Sequence, residues 1–249
     1  MPRIALLSDI HGNLEALVAA LRSVATASPD LIVCLGDVVG YGPEPGLCVE
    51  LVQMACDHVI VGNHDEAALD PNRATGFNDA AMRSLRFTRS QLTEVHTSAI
   101  LDWPKRLELE GLECTHGSFG ERRYAYLSSV EAATDAFGGF FGRIGAVGHT
   151  HNPALFYQLE GGGSESEIRW AQPPQDLVIR LPEGHRFIVN PGSVGQPRDR
   201  NPDAAWALVD TDAMTYQLHR VAYDVNEVSR KIGAAGLPEF LGERLRVGA

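Results

Sequence analysis

Three short apolar segments near the N-terminus constrain the fold more than any other feature of the chain. Arg3–Ser8, Leu31–Leu35 and His58–Val61 have the length and composition of strands that are buried on both faces. Between them, Asn13–Ala25 repeats apolar residues at the spacing of one helix face, and Leu47–Cys56 has a helical pattern. The order strand–helix–strand–helix–strand predicts a parallel sheet that is covered by helices on both faces.

The rest of the chain is richer in strand patterns. Helices are predicted at Asn78–Leu92, Ser129–Phe137 and Asp224–Ala235, and 161–165 (Gly-Gly-Gly-Ser-Glu) is predicted to be a flexible connection. Short strands are predicted at Leu107–Leu109, Leu112–Thr115, Ile144–Val147, Ala154–Leu159, Leu177–Leu181, Phe187–Val189, Ala205–Val209 and Tyr216–Val221. With no long linker between these elements, we expect an α/β protein with two sheets and a single domain spanning 1–249.

Polar motifs follow five of the predicted strands at the point where each strand ends. They are Asp9-Ile10-His11, Gly36-Asp37, Gly62-Asn63-His64-Asp65, Thr115-His116-Gly117 and His149-Thr150-His151. Each motif alone has an ordinary explanation, such as a hydrogen-bonded histidine or an aspartate that caps a helix. Ligand sites of open α/β sheets form at the carboxyl ends of the strands, so five such motifs in order indicate one site. In an extended chain, the i, i+2 spacing of Asp9 with His11 and of His149 with His151 would point each pair to one side.

The residue types in these motifs predict a metal site. Carboxylates, imidazoles and one amide oxygen without a thiolate suit Mn²⁺, Fe²⁺ or Zn²⁺ better than an iron–sulfur cluster or a structural zinc. About seven ligands exceed what one tetrahedral ion takes, and they suit two ions roughly 3.5–4 Å apart that share a carboxylate.

Taken together, the motifs resemble the signature of the calcineurin-like metallophosphoesterases, most closely the small bacterial phosphodiesterase branch. The segments Asn190-Pro191-Gly192-Ser193 and Tyr223–Leu245 resemble that branch as well. The resemblance implies two facing mixed β-sheets flanked by helices, a four-layer α/β/β/α sandwich. It also implies two divalent metal ions, with Mn²⁺ expected first and Fe, Zn, Ni or Mg as alternatives.

The resemblance further assigns roles to individual residues. One metal would be held by Asp9, His11, Asp37 and His151, and the other by Asn63, His116, His149 and the bridging Asp37. His64 would face the substrate and, when protonated, assist the leaving group, with Asp65 as its orienting partner. Asn13 either contacts a phosphate oxygen at a helix N-terminus or simply caps that helix.

One departure from the family pattern bears on the substrate. Phosphoprotein phosphatases of the family continue their Gly-Asp motif to an Asp-Arg pair, whereas this chain reads Gly36-Asp37-Val38-Val39-Gly40. The missing arginine and the resemblance together favour a small phosphodiester or nucleotide as the substrate. We expect a hydroxide that bridges the two metals to attack it. Arg198 would supply a phosphate-binding cation or is an ordinary surface arginine. The alternatives are a phosphomonoesterase or phosphoprotein phosphatase on the same site, or a non-catalytic scaffold of the same fold.

Composition limits the partners. The chain has 32 acidic and 21 basic residues, a formal charge of −11, which argues against a nucleic acid polymer and favours a small phosphate ester. No apolar run approaches the ~18 residues that cross a bilayer, so no membrane partner is expected. The four cysteines form no CxxC pair, and we expect buried free thiols and a cytoplasmic location. Nothing in the sequence indicates the oligomeric state.

Overall fold

The computed structural model describes residues 2–109, 111–159 and 168–249, and its strands form two six-stranded sheets. The strands are β1 (Arg3–Leu7), β2 (Leu31–Cys34), β3 (His58–Val59), β4 (Arg106–Leu109), β5 (Leu112–Thr115), β6 (Ile144–Ala146), β7 (Ala154–Leu159), β8 (Arg169–Ala171), β9 (Val178–Arg180), β10 (His185–Asn190), β11 (Ala204–Asp210) and β12 (Thr215–Val221). The helices are α1 (Leu14–Ala27), α2 (Pro45–Ala55), α3 (Asn63–Leu69), α4 (Asp79–Gln91), α5 (Glu94–Asp102), α6 (Val130–Gly138), α7 (Val225–Ala234) and α8 (Phe240–Val247).

The first sheet has the strand order β3-β2-β1-β11-β12-β9. Its β1, β2 and β3 are parallel, as the N-terminal pattern predicts, and β11 joins β1 in antiparallel orientation. Side chains alternate along β1, so that Ala5 and Leu7 pack with the helices while Ile4 and Leu6 pack between the sheets. The continuous apolar run therefore reflects a strand with a core on each face.

The second sheet has the order β4-β5-β6-β10-β7-β8, with β5, β6 and β10 parallel and the remaining pairs antiparallel. Its inner face contributes Cys114, Ile144 and Phe187 to the core between the sheets, and its outer face packs on α6. Two mixed sheets flanked by helices confirm the predicted α/β/β/α architecture. The parallel strands bring the carboxyl ends of β1, β2, β3, β5 and β6 to one side of the molecule.

Several elements were absent from the sequence prediction. They are α3, α5, α8 and β8, whose sequences show no clear apolar period. In addition, β3 is shorter than the predicted His58–Val61. α3 begins in the polar segment Asn63-His64-Asp65 because the Asp65 carboxylate accepts the Gly62 N–H at 2.9 Å and so caps the first turn. The predicted connection 161–165 lies outside the described residues.

Two further expectations concern the cysteines and the membrane. All four cysteines are unpaired, and Cys34, Cys48 and Cys114 are buried. Within the described ranges, none of the helices has the length and apolar character that spanning a bilayer requires.

Candidate active site

The structure brings six of the seven predicted metal ligands into two close groups just past the strand ends, and the seventh, Asn63, lies at the start of α3 next to His64. Ligand atoms of Asp9, His11 and His151 lie within 4.8 Å of one another, as do those of Asp37, His116 and His149. We call the seven residues Asp9, His11, Asp37, Asn63, His116, His149 and His151 the metal-ligand cluster. All of them are buried except Asn63, which is half-buried.

The backbone of the cluster differs from the extended chain that the i, i+2 spacing suggested. Asp9 and His11 have φ of 54° and 50°, and His149 and His151 have φ of 65° and 60°. Asp37 joins them with φ of 52°. These side chains therefore converge through left-handed turns just past the strand ends rather than by strand alternation. Such conformations are costly for residues other than glycine and concentrate at functional sites.

Each histidine of the cluster is oriented by a main-chain carbonyl. The bonds join His11 Nδ1 to Val39 O at 3.0 Å, His116 Nδ1 to Leu35 O at 2.7 Å, His149 Nε2 to Tyr124 O at 3.1 Å and His151 Nδ1 to Gln196 O at 2.7 Å. A carbonyl oxygen only accepts, so the bonded ring nitrogen carries the proton and a neutral ring keeps its lone pair on the other nitrogen. Metal-bound histidines are typically oriented in this way.

Two of these rings meet in an arrangement that calls for a cation. The Nε2 atoms of His11 and His151 are 3.1 Å apart. Burial holds the pKa of both rings well below the usual range, so both are neutral near pH 7. With each Nδ1 proton donated to a carbonyl, two lone pairs face each other across this short distance. A metal ion that both nitrogens bind removes that repulsion.

Asp37 lies at the centre of the cluster. Its Oδ2 is 3.2 Å from His116 Nε2 and 3.7 Å from His11 Nε2, while its Oδ1 accepts the His64 main-chain N–H at 2.8 Å. A Cβ at Gly62 would lie 2.1 Å from Asp37 Oδ1, so only glycine fits beside this carboxylate. Asp37 thus reaches ligands of both halves of the cluster, as a shared carboxylate requires.

Two further observations fit a bound metal. The buried Asn63 Oδ1 has no hydrogen-bond partner in the described part of the chain, and His116 Nε2 faces only the carboxylates of Asp37 and Asp9, at 3.2 and 3.9 Å. Burial alone would lower the pKa of His116, but Asp37 and Asp9 raise it to about 9, so without a metal the carboxylates hold a proton on this ring. Burial, and to a lesser degree Asp37, raises the pKa of Asp9 to about 6 against the opposing effect of His116. The buried carboxylates therefore require positive charge, which divalent cations supply.

His64 lies beside the cluster, with a possible ligand atom within 4.8 Å of those of His11 and Asp37. Its Nδ1 is buried without a partner and packs against Gly40, where a Cβ would approach to 2.6 Å. Burial lowers the pKa of His64 to about 4, although Asp37 opposes this effect. In the metal-free protein, burial therefore favours the neutral form of this ring near pH 7.

Asp65 has a different role from the one expected. Its carboxylate accepts main-chain N–H groups of Asp37 at 2.8 Å, Val39 at 3.1 Å and Gly62 at 2.9 Å. Its oxygens bind these three backbone groups, and no hydrogen bond joins the Asp65 carboxylate to the His64 ring. Asp65 instead holds the Asp37 loop against the start of α3.

The two candidate substrate contacts differ in their surroundings. Asn13 is 1% exposed, accepts the Ala16 N–H at 3.1 Å and donates to Gly195 O at 2.8 Å. These bonds engage both side-chain atoms and favour its role as the cap of α1. Arg198 is half-buried and lines the cleft in front of the metal-ligand cluster.

That cleft has a volume of about 1470 Å³ and includes residues that sequence reasoning missed. Asn63, His64 and His149 lie at its base. Among the lining residues that the sequence did not indicate are seven with aromatic or guanidinium side chains: Tyr41, Phe77, Arg123, Tyr124, Tyr126, Phe240 and Arg244. They belong to loops and to the unpredicted α8, and no local spacing links them. Only Tyr41, between two glycines of a predicted loop, stood near a recognised motif.

Comparisons with known proteins agree with this geometry. The family model described as the calcineurin-like phosphoesterase superfamily domain matches residues 3–214. A crystal structure of a metallophosphoesterase from Sphaerobacter thermophilus is 35% identical, covers 100% of this chain and 99% of its own, and superposes with a TM-score of 0.87.

Curated relatives extend the comparison. An uncharacterized protein of Methanocaldococcus jannaschii, MJ0912, is 33% identical over 98% of each chain. Phosphodiesterase YfcE of Escherichia coli K12 is 24% identical over 86% of this chain and 91% of its own.

A fold of two facing mixed sheets with a buried cluster of carboxylate and histidine side chains at the strand ends is that of a metallophosphoesterase. The chain belongs to the calcineurin-like phosphoesterase superfamily, as the match over 3–214 shows. Its relationship to YfcE also confirms the predicted resemblance to the bacterial phosphodiesterase branch.

Proposed function

We propose that this chain is a phosphodiesterase that hydrolyses a small phosphate diester at a site holding two divalent metal ions, Mn²⁺ first among them. The facing Nε2 atoms of His11 and His151, 3.1 Å apart with both Nδ1 protons donated to carbonyls, carry the metal assignment. The phosphodiester assignment is supported by the missing Asp-Arg pair after Asp37 and by the relationship to YfcE, a protein named as a phosphodiesterase.

In this proposal the cluster divides into two sets of ligands that share Asp37. Asp9, His11 and His151 would hold one metal, and Asn63, His116 and His149 the other. When bound, two such cations lower the pKa of a water molecule and neutralise charge that develops on the phosphoryl oxygens. Asp65 contributes by fixing the loop that carries Asp37, and the carbonyl-bonded imidazoles keep their lone pairs aimed at the cluster.

His64 acts on the substrate rather than on the metals. With Nδ1 packed against Gly40, its Nε2 would donate a hydrogen bond to a phosphoryl oxygen or to the leaving oxygen. A neutral ring can make this bond, and nearby divalent cations would lower its pKa further. The reaction then needs no covalent enzyme intermediate.

We also propose that 1–249 forms a single domain and acts in the cytoplasm. The C-terminal helices support the first point, because Lys231 of α7 donates to the carboxylates of both Glu15 in α1 and Glu44 before α2. The unpaired, largely buried cysteines support a reducing compartment.

The function is tested by comparing bis-p-nitrophenyl phosphate with p-nitrophenyl phosphate as substrates of Mn²⁺-loaded protein. We expect faster turnover of the diester, and loss of turnover when EDTA removes the metal. Faster turnover of the monoester would instead identify a phosphomonoesterase. Absence of both turnover and metal binding at neutral pH would identify a scaffold of the same fold.

A further inference from the structure

Two arginines lie together on one wall of the cleft, outside the metal-ligand cluster. Gln196 Oε1 accepts from Arg198 Nη2 at 2.9 Å and from Arg244 Nη1 at 3.2 Å, so one carbonyl holds both guanidinium groups. Arg244 also lies over the ring of Phe240, 5.3 Å from its centroid. We call Arg198 and Arg244 the arginine pair.

No side-chain carboxylate among residues 2–109, 111–159 and 168–249 lies within ion-pair distance of either guanidinium. Arg198 Nε is buried without a partner, and Arg244 Nε donates to an oxygen of Ala249, the last residue of the sequence. Burial first, and then the neighbouring charge of Arg198, lower the pKa of Arg244 to about 10. In a chain with 32 acidic residues, two adjacent arginines without an acidic side chain between them offer planar N–H donors of the kind that bind phosphate or carboxylate groups.

The arginine pair is rigidly placed relative to the metal-ligand cluster. Gln196, which holds both guanidinium groups by its side chain, accepts the His151 Nδ1 proton by its main-chain oxygen at 2.7 Å. The main-chain N–H of Arg198 also donates to His151 O at 3.3 Å. Any group bound by the arginine pair therefore has a fixed offset from the metals.

Tyr41 lies between the arginine pair and the cluster. Its ring centroid is 4.8 Å from that of His11 and 4.6 Å from that of His64, and the Arg198 guanidinium lies 5.9 Å from it. In the described part of the chain, neither guanidinium hydrogen-bonds a side chain of the metal-ligand cluster. The side chains of the metal-ligand cluster therefore do not engage the arginine pair.

We propose that the arginine pair is a subsite for a second phosphate group of the substrate, one that is not hydrolysed. Guanidinium groups bind phosphate through paired, charge-assisted N–H donors, and two of them match a group of charge −2. The substrate class is then a phosphodiester that carries a further phosphate, such as a phosphorylated nucleoside ester. This inference rests on the proposed phosphodiesterase function.

Binding is measured first, by titration calorimetry of Mn²⁺-loaded protein with three nucleotides. Thymidine 5′-monophosphate has one phosphate group. Thymidine 3′,5′-bisphosphate and thymidine 5′-diphosphate each have two, and the distance between the two phosphate groups differs between these nucleotides. We expect at least one of the latter two to bind about tenfold tighter than the monophosphate, the effect of one or two charge-assisted hydrogen bonds.

Variants test whether the arginine pair is responsible. We expect Arg244→Met to reduce the preference for a doubly phosphorylated nucleotide over the monophosphate to within about twofold. Arg244→Lys keeps the charge but loses the planar guanidinium group, so it should retain part of this preference. Arg246→Met makes the same change of net charge on the exposed side of the same helix and should keep the full preference. Equal affinity of wild type for all three nucleotides, or equal preference in Arg244→Met and Arg246→Met, overturns the proposal. If Arg244→Met does not fold, the comparison of Arg244→Lys with Arg246→Met decides in the same way.

Catalysis separates this proposal from the proposed function. Thymidine 5′-(p-nitrophenyl phosphate) and its 3′-phosphorylated derivative share the same scissile diester, and we expect kcat/KM to be about tenfold higher for the derivative. Turnover of both substrates at equal kcat/KM, together with equal nucleotide affinities, rejects the subsite and leaves the phosphodiesterase standing. Absence of turnover, with a nucleotide preference that depends on Arg244, rejects the phosphodiesterase and leaves the subsite standing.

Discussion

The metal-ligand cluster and the arginine pair lie in the same cleft but are built in different ways. The cluster combines buried carboxylates and imidazoles from five strand ends, on a backbone strained into left-handed turns. The arginine pair combines a loop after β10 with a helix near the end of the chain, and one glutamine side chain joins them. Two packed sheets fix the first arrangement, whereas loop and helix placement fixes the second.

In our proposals, the metal-ligand cluster carries out the reaction and the arginine pair binds a second part of the substrate. The cluster is negatively charged through Asp9 and Asp37 and needs cations, while the arginine pair is positive and needs an anion. A phosphate ester with a second phosphate would satisfy both, with one phosphoryl group at the metals and the other on the arginines. The predictions below test each region separately.

The largest effect is expected from Asp37→Asn, because this carboxylate reaches both halves of the cluster. We expect loss of bound metal and a fall in diester turnover of about 10³-fold, the cost of several kcal/mol of lost charge stabilisation. Metal content and turnover are measured on the same sample. Asp102→Asn, at an exposed position of α5, should change neither. Full activity of Asp37→Asn would remove Asp37 from the metal site.

His64→Ala separates substrate activation from metal binding. We expect turnover of bis-p-nitrophenyl phosphate to fall about 10²- to 10³-fold, the typical cost of removing one hydrogen-bond donor to the developing charge. The metal content should stay at the wild-type value, because His64 is not among the proposed ligands. His185→Ala, at a histidine outside the cleft, is the matched control. Activity within a few-fold of wild type would reject the role of His64, and loss of a metal would make it a ligand.

Arg123→Met sharpens the contrast between paired and unpaired arginines in the same cleft. Arg123 Nη2 is 2.6 Å from Glu66 Oε2, so this arginine has a carboxylate partner, which it shares with Arg73 at 3.2 Å. We expect the preference for doubly phosphorylated nucleotides to remain within about twofold of wild type. The free energy of unfolding in urea should fall by about 1 kcal/mol, as for a partly exposed ion pair. Loss of the nucleotide preference in Arg123→Met would indicate that Arg123, rather than the arginine pair, binds the second phosphate.

Asn13→Ala is expected to have the smallest effect. Loss of the cap on α1 should reduce the free energy of unfolding by about 1 kcal/mol, measured in urea. The KM for the diester should stay within about twofold, since both side-chain atoms of Asn13 are engaged within the protein. A large rise in KM with unchanged stability would restore Asn13 as a phosphate contact.

The same contrast explains how much the sequence could predict. Site residues such as Asp9 and His64 stand in short motifs directly after apolar strands, so the topology of a parallel sheet suffices to bring them together. Neither the left-handed backbone of Asp9 nor the bonds of Asp65 to three loop N–H groups could be predicted, because both depend on how the loops pack.

The arginine pair had no comparable pattern. Arg198 and Arg244 are 46 positions apart, and the helix that carries Arg244 lacks a clear apolar period. The two arginines lie close together only because α8 packs against the rest of the protein and because both guanidinium groups bind the side chain of Gln196. Only the three-dimensional structure shows that two of the chain's 21 basic residues meet in the cleft without an acidic side chain between them.

The central claim, a two-metal phosphodiesterase, is tested most directly by titrating metal-free protein with Mn²⁺. Bound metal and hydrolysis of bis-p-nitrophenyl phosphate are followed together at neutral pH. We expect two equivalents of Mn²⁺ per chain, with turnover that appears as the second equivalent binds and disappears with EDTA. Full turnover in EDTA, or saturation with fewer than two equivalents at full activity, would contradict the account.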